Sequence, residues 1–166
     1  MASSFFDITF EVTEIPPVFS ESEQKIAALH KEATSYKKMD LEKAISLLQE
    51  ASDLMRKDDA GYLIEQWMRL PLYLQEAGRF DEAMREFERL LEEVRPRAEK
   101  ELGQYFGQTY IECRVHLHNF KIYDKMRLVC KREKLVDKAK EYQRLFEKHE
   151  LMHSELSAII DQERIK

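Results

Sequence analysis

The sequence predicts an all-α fold of antiparallel helix pairs, on three observations. Glycine and proline together supply only 8 of 166 residues, whereas a hairpin-rich β fold needs a turn signal roughly every 8–12 positions. From Ser20 onward, apolar residues recur at helical spacing between residues that cap and stop helices. Only residues 6–13 alternate with period two. With 43% apolar residues, the chain suits one domain, since about 150 residues bury roughly 70% of their unfolded surface. Cys113 and Cys130 are too few for an extracellular framework and too far apart for a CxxC knuckle. They read as reduced, mostly buried thiols.

The first element is a segment apart, residues 1–19, with the helical domain at 20–166. Phe6, Ile8, Phe10 and Val12 alternate with polar residues in the pattern of a half-buried strand, and Ile15-Pro16-Pro17 ends it because proline cannot donate to a ladder. A lone strand must pair its backbone with something. A partner protein, a second copy, or an extended path across the helices would each do this.

Helices are expected at 21–38, 41–57, 60–77, 81–94, 97–117, 120–132 and 135–162. Ser20-Glu21-Ser22-Glu23 is a capping-box start. Met39-Asp40 supplies the cap of the second helix and Asp58-Asp59 precedes the third. Gly78 suits the left-handed residue after a helix, and Pro96 suits the first turn of the fifth. A helix end is expected near Asn119. Connections of two or three residues make successive helices antiparallel neighbours.

Net charge is −5, but unevenly divided. Residues 121–148 carry 10 Lys or Arg against 5 Asp or Glu, and residues 1–120 carry 15 against 23. The acidic body argues against nucleic acid although Phe120, Tyr123 and Tyr142 lie among the basic residues, and it favours a basic partner. No secretory leader is visible and no apolar run approaches the roughly 18 residues of a spanning helix, so a soluble cytoplasmic protein without membrane contact is expected.

The segment from Trp67 to Leu90, with Trp67, Leu70, Gly78, Phe80, Ala83 and Phe87 in place, closely resembles one tetratricopeptide repeat. Pro71, where that family has a small residue, is expected to kink or open its helix, and Leu74 replaces an aromatic. Ala28, Leu41, Ala44, Leu48 and Ala51 resemble an earlier copy. A third copy begins near Lys100, with Phe106-Gly107 and Tyr110, or else Lys134–Tyr142 is the second half of one. The resemblance implies a short right-handed solenoid closed by a long C-terminal helix, whose activity is binding another protein rather than catalysis, with no cofactor. Carried onto this sequence, the groove positions are Ile26, Leu29, Ala33, Tyr36 and Lys37, then Glu65, Met68, Leu72, Gln75 and Glu76. In the third copy they are Glu101, Gln104, Gln108, Ile111 and Glu112. They describe an apolar floor with an acidic, amide-rich rim, suited to a basic or amphipathic segment of an adaptor's or inhibitor's target. The bland alternative is that this face packs inside the protein.

His149-Glu150-Leu151-Met152-His153 matches the His-Glu-x-x-His pattern, in which residues four apart on a helix offer two nitrogen ligands to zinc. A zinc-binding protein or a small zinc peptidase is therefore the alternative function. Catalytic zinc needs a third protein ligand, and after His153 only Glu155, Asp161 and Glu163 are candidates. Tyr142, Phe146, His149, His153, Leu156 and Ile160 also form one helical stripe, so the histidines equally read as residues of a helix seam. Cys113, His116 and His118 form a second cluster, in which 113 and 116 share a helix face but 116 and 118 do not.

Overall fold

The computed structural model describes residues 19–58 and 60–164. These residues form helices only. They are α1 (Glu21–Tyr36), α2 (Leu41–Lys57), α3 (Ile64–Trp67), α4 (Arg69–Glu76), α5 (Phe80–Leu102), α6 (Gln108–Arg132) and α7 (Val136–Arg164). The expected strand, with Phe6, Ile8, Phe10 and Val12, lies outside the described residues. Among the described residues no helix is long and apolar enough to cross a membrane.

The starts of α1 and α2 follow the local chemistry. Ser20 Oγ accepts from the Glu23 amide at 3.1 Å, and the Ser20 amide donates back to Glu23 Oε2 at 2.8 Å, which satisfies two of the free donors of the helix start. Asp40 Oδ1 accepts from the Lys43 amide at 2.9 Å. The third helix departs from expectation at its beginning, four residues later than 60. Asp58 spends its carboxylate on the Ala60 amide and the Tyr62 hydroxyl, at 3.2 and 2.7 Å, so its side chain holds the loop rather than capping the start of the third helix.

The two internal prolines behave oppositely. Pro71 has no amide to give the Trp67 carbonyl, and its ring crowds that carbonyl; the helix is interrupted between Trp67 and Arg69, as the sequence led one to expect. Pro96, expected at a helix start, instead sits inside α5. Leu90, Val94 and Ala98 are 0–2% exposed and form one continuous buried stripe through the proline. Pro96 and Glu92 lie on the solvent side, where the unpaired carbonyl can bond water. Burial of the stripe therefore overrides the local preference. The break comes instead at 103–107, and α6 runs unbroken through Asn119, where a helix end was expected.

The helices pack as three antiparallel hairpins, α1 with α2, α3–α4 with α5, and α6 with α7. The second and third share one turn. Gly78 (φ 75°) and Lys134 (φ 60°) are both left-handed. The following amides donate six-residue closing bonds, Arg79 to Leu74 O and Leu135 to Cys130 O, each at 2.9 Å. Glycine adopts this conformation without steric cost, whereas Lys134 carries about 1–2 kcal/mol of it. Ala44, Ala83 and Ala139, each five residues after Met39, Gly78 and Lys134, are 0–3% exposed. A side chain without bulk at that point lets paired helices approach.

Two apolar clusters form the core. Leu29, Ala33, Leu48, Leu70 and Leu74 join α1, α2 and α4. Ile26, Trp67, Phe87, Leu90, Ile122 and Met126 extend from α1 through α5 into α6. Arg56 ties α2 to α5 through Glu86 and Glu93, at 2.6 and 2.9 Å. Arg97 covers the Trp67 ring at 4.3 Å.

Candidate functional site

The positions carried over from the repeat resemblance divide into three groups. Ile26, Leu29, Ala33, Met68 and Ile111 are 0–8% exposed. Leu29 and Ala33 belong to the core with α2 and α4, because α1 buries its inner face there. Tyr36 and Leu72 are half-buried against the same packing.

The second group lines the seam between successive first helices. Lys37 meets Glu76 at 2.8 Å, which joins the ends of α1 and α4. Lys121 of α6 meets Glu65 of α3 at 2.5 Å and holds its carboxyl below the ordinary carboxylate range, chiefly through that hydrogen bond. Gln75 accepts from Arg132 at 2.9 Å and donates to Glu133 at 3.3 Å. Glu65, Gln75 and Glu76 thus each have a partner from a neighbouring helix or its end, so the rim is of mixed charge rather than acidic.

The third group is elsewhere. Gln104 lies exposed in the turn before α6, and Glu101 ends α5 facing Arg114 at 3.7 Å. Gln108 donates to Glu112 at 2.7 Å, and Arg95 of α5 grips both oxygens of Glu112 at 2.7 and 2.8 Å. Those bonds, the guanidinium first, bring the Glu112 carboxyl down to about 2. Gln104, Gln108 and Glu112 therefore do not join Glu65 and Met68. The reason is register: the third hairpin begins at Gln108, with Val136–Arg164 as its second helix.

What does meet α3 is the middle of α6 and of α7. Glu65 and Met68 share an open groove of about 380 Å³ with Phe120, Lys121, Asp124, Lys125, Phe146 and Glu150. Its apolar side chains come from the α3–α4 junction, from α6 and from α7. Phe120 and Phe146 stand edge to face with centroids 5.9 Å apart, an arrangement that fixes both rings. The basic stretch and Phe120 are visible in the sequence, but this juxtaposition requires a continuous α6. The signal was there: Ile111, Val115, His118, Ile122, Met126 and Val129 run at helical spacing straight through Asn119.

His149 and His153 face α6, in the seam. There His149 Nδ1 lies 2.8 Å from His116 Nδ1, and His153 Nδ1 lies 3.3 Å from Cys113 Sγ and 3.2 Å from Cys113 O. Cys113 and His116 of the second sequence cluster thus meet the two histidines of the first in separate pairs, while His118 does not join them. Rings close over it, Phe120 5.5 Å from His153 and Tyr123 5.5 Å from His149. Burial, with His116 beside it, lowers the His149 imidazole to about 4. Glu150, the would-be water activator, points into the groove on the other side.

At the α1–α4 end of this face, Arg69 donates to His30 Nδ1 at 2.9 Å and to His30 O at 3.0 Å. Burial first, and then this guanidinium, lowers His30 to about 4. The unfolded chain takes up that proton near pH 6.5, so between pH 6.5 and 4 it binds more protons than the folded one. Stability contributed by neutral His30 is complete above pH 6.5 and is lost as pH falls through that window. In thermal melts from pH 7.5 to 4.5, His30→Gln should therefore show a shallower decline than wild type. Parallel curves would contradict this assignment.

No family model, curated protein or solved structure matches the chain.

Proposed function

We propose that the chain is a tetratricopeptide-like protein-binding module that holds an amphipathic helix or segment of another protein in the groove between α3, α6 and α7. The observation that carries this reading is the recurrence of one hairpin. Ala44, Ala83 and Ala139 are buried five residues after each turn, and Gly78 and Lys134 share one left-handed geometry. Helix pairs that repeat in this way bury their apolar faces against one another and leave an elongated face for a ligand. The ion pairs and hydrogen bonds that run from α1 to α4 and from α3–α4 to α6 mark that face.

The groove supports the partner's chemistry. Met68, Phe120 and Phe146 offer an apolar floor, while Glu65, Asp124 and Glu150 alternate with Lys121 and Lys125 around it. Such a site takes apolar anchors at helical spacing and orients them by charges of both signs. Because Glu65 and Glu76 already have cations of the chain beside them, a strongly basic partner gains less here than the sequence suggested. An adaptor or an inhibitor of a partner enzyme would act through this binding alone.

Selection of displayed peptides against the full chain tests it. Peptides with apolar residues at i, i+4 and i+7 are expected. Their affinity should drop at least about tenfold, or 1.4 kcal/mol, in Lys125→Glu/Glu150→Lys, and should survive Lys43→Glu on α2. Failure to select such peptides, or equal loss with Lys43→Glu, would remove the reading.

A further inference from the structure

We infer that α7 carries a second interface, on the side away from the groove, and that its occupant is the α7 of a second copy of this chain, laid antiparallel. The inference starts from packing. α7 is 29 residues long and packs along α6, to which it turns Tyr142, Phe146 and His153. Leu145, Met152 and Ile159 stand at intervals of seven, roughly 100° round the helix from that seam. Leu145 is half-buried. Met152 and Ile159 are 37% and 45% exposed, and Leu151 beside them 59%.

A helix that closes a stacked array ordinarily turns a polar face outward. At the opposite end α1 does so: its exposed positions carry Glu, Gln, Lys, Thr and Ser, and nothing apolar larger than Ala. α7 instead shows a seven-residue apolar repeat, the spacing by which one helix seats against another.

Charge selects a copy of the same helix, and its direction. Lys148 and Glu155 flank the stripe seven residues apart, both exposed. Among the described residues neither has an ion-pair partner in its own chain. A twofold axis between Leu151 and Met152 sets Lys148 opposite Glu155 of the second copy, twice, and brings Leu145 beside that copy's Ile159. Parallel pairing would set Lys148 on Lys148 and Glu155 on Glu155, and like charges facing one another disfavour it. The antiparallel overlap is about 26 residues, roughly 39 Å of helix, and because the contact is isologous it closes at two chains. Glu150 of the groove lies roughly 160° round the helix from Met152. Pairing therefore leaves both grooves open and does not rest on the peptide-binding reading.

Sedimentation equilibrium of the full chain over about a hundredfold range of concentration should show the mass rise from 19.8 kDa toward twice that value. Met152→Lys should stay monomeric throughout, with the melting temperature of the dilute protein unchanged, since only an exposed side chain is replaced. Lys148→Glu should weaken association at least about tenfold, because two ion pairs are lost and like charges meet. Lys148→Glu/Glu155→Lys should recover it, which a disturbed fold would not. Direction is read by cysteine: on mild oxidation Met152→Cys should join two chains and Ile159→Cys should not, as a disulfide needs Cα atoms within about 7 Å. A monomer at every concentration, a dimer that survives Met152→Lys, a double variant as weak as Lys148→Glu, or linking through Ile159→Cys as readily as through Met152→Cys would overturn the assignment. Peptide binding by Lys125→Glu/Glu150→Lys reports on the groove separately, so either proposal can fail alone.

Discussion

Phe87→Ala should destabilise the chain by about 3–5 kcal/mol, the range for removing a fully buried aromatic ring. Phe87 is 0% exposed on α5, in the cluster that joins Trp67, Met84 and Leu90 to α6. It stands four residues beyond Ala83, which belongs to the neighbouring cluster of α1, α2 and α4. Its ring therefore fills space where the second hairpin meets the third. Those elements are fixed independently, so the cavity cannot close by movement of one helix alone. In a domain of this size the loss corresponds to a fall of roughly 10–15 °C in Tm. Calorimetry of Phe87→Ala beside Phe87→Leu measures it, and Phe87→Leu should lose less than half as much. Equal losses would mean that ring volume is not what the site needs.

The second large effect is expected at Arg56. Its guanidinium donates to Glu93 at 2.9 Å, Ser52 at 2.9 Å and Glu86 at 2.6 Å, and the side chains of Arg56 and Glu86 are only 14% and 11% exposed. It also lies over Trp67, 5.5 Å from the ring centroid. Arg56→Ala removes from the α2–α5 seam the cation shared by two carboxylates of α5, so that Glu86 loses this ion pair and Glu93 keeps the one with Arg89. A broken buried pair costs about 3–5 kcal/mol. The partial exposure of Glu93 reduces this to about 2–4 kcal/mol. Urea unfolding should show the loss, and Arg56→Met combined with Glu86→Leu and Glu93→Gln should recover at least half of it. A triple variant as weak as Arg56→Ala would show that packing against Trp67, not charge, is what Arg56 supplies.

Much of the local structure was legible because it follows from residues within one turn. Ser20 with Glu23, Asp40 with Lys43, the left-handed Gly78 and the interruption ahead of Pro71 all rest on backbone groups and side chains three or four positions apart. Pro96 was misread for the complementary reason. Its preference for a helix start is a local one of a few kcal/mol at most, and the buried stripe of Leu90, Val94 and Ala98 outweighs it. With α5 continuous to Leu102, the third hairpin begins at Gln108, so Gln104, Gln108 and Glu112 lie apart from the groove that Phe146 and Lys125 line.

Helical class, the caps of α1 and α2, the turn at Gly78 and the spacing of each histidine pair follow from periodicity and short-range hydrogen bonding, and so could be read from the chain. Which faces meet is set by packing between distant helices. Cys113 and His153 are 40 residues apart, His116 and His149 are 33 apart, and Glu65 lies 56 residues from Lys121. Periodicity states that such residues share a face of their own helix. Which helix covers that face depends on the burial of side chains from several elements at once.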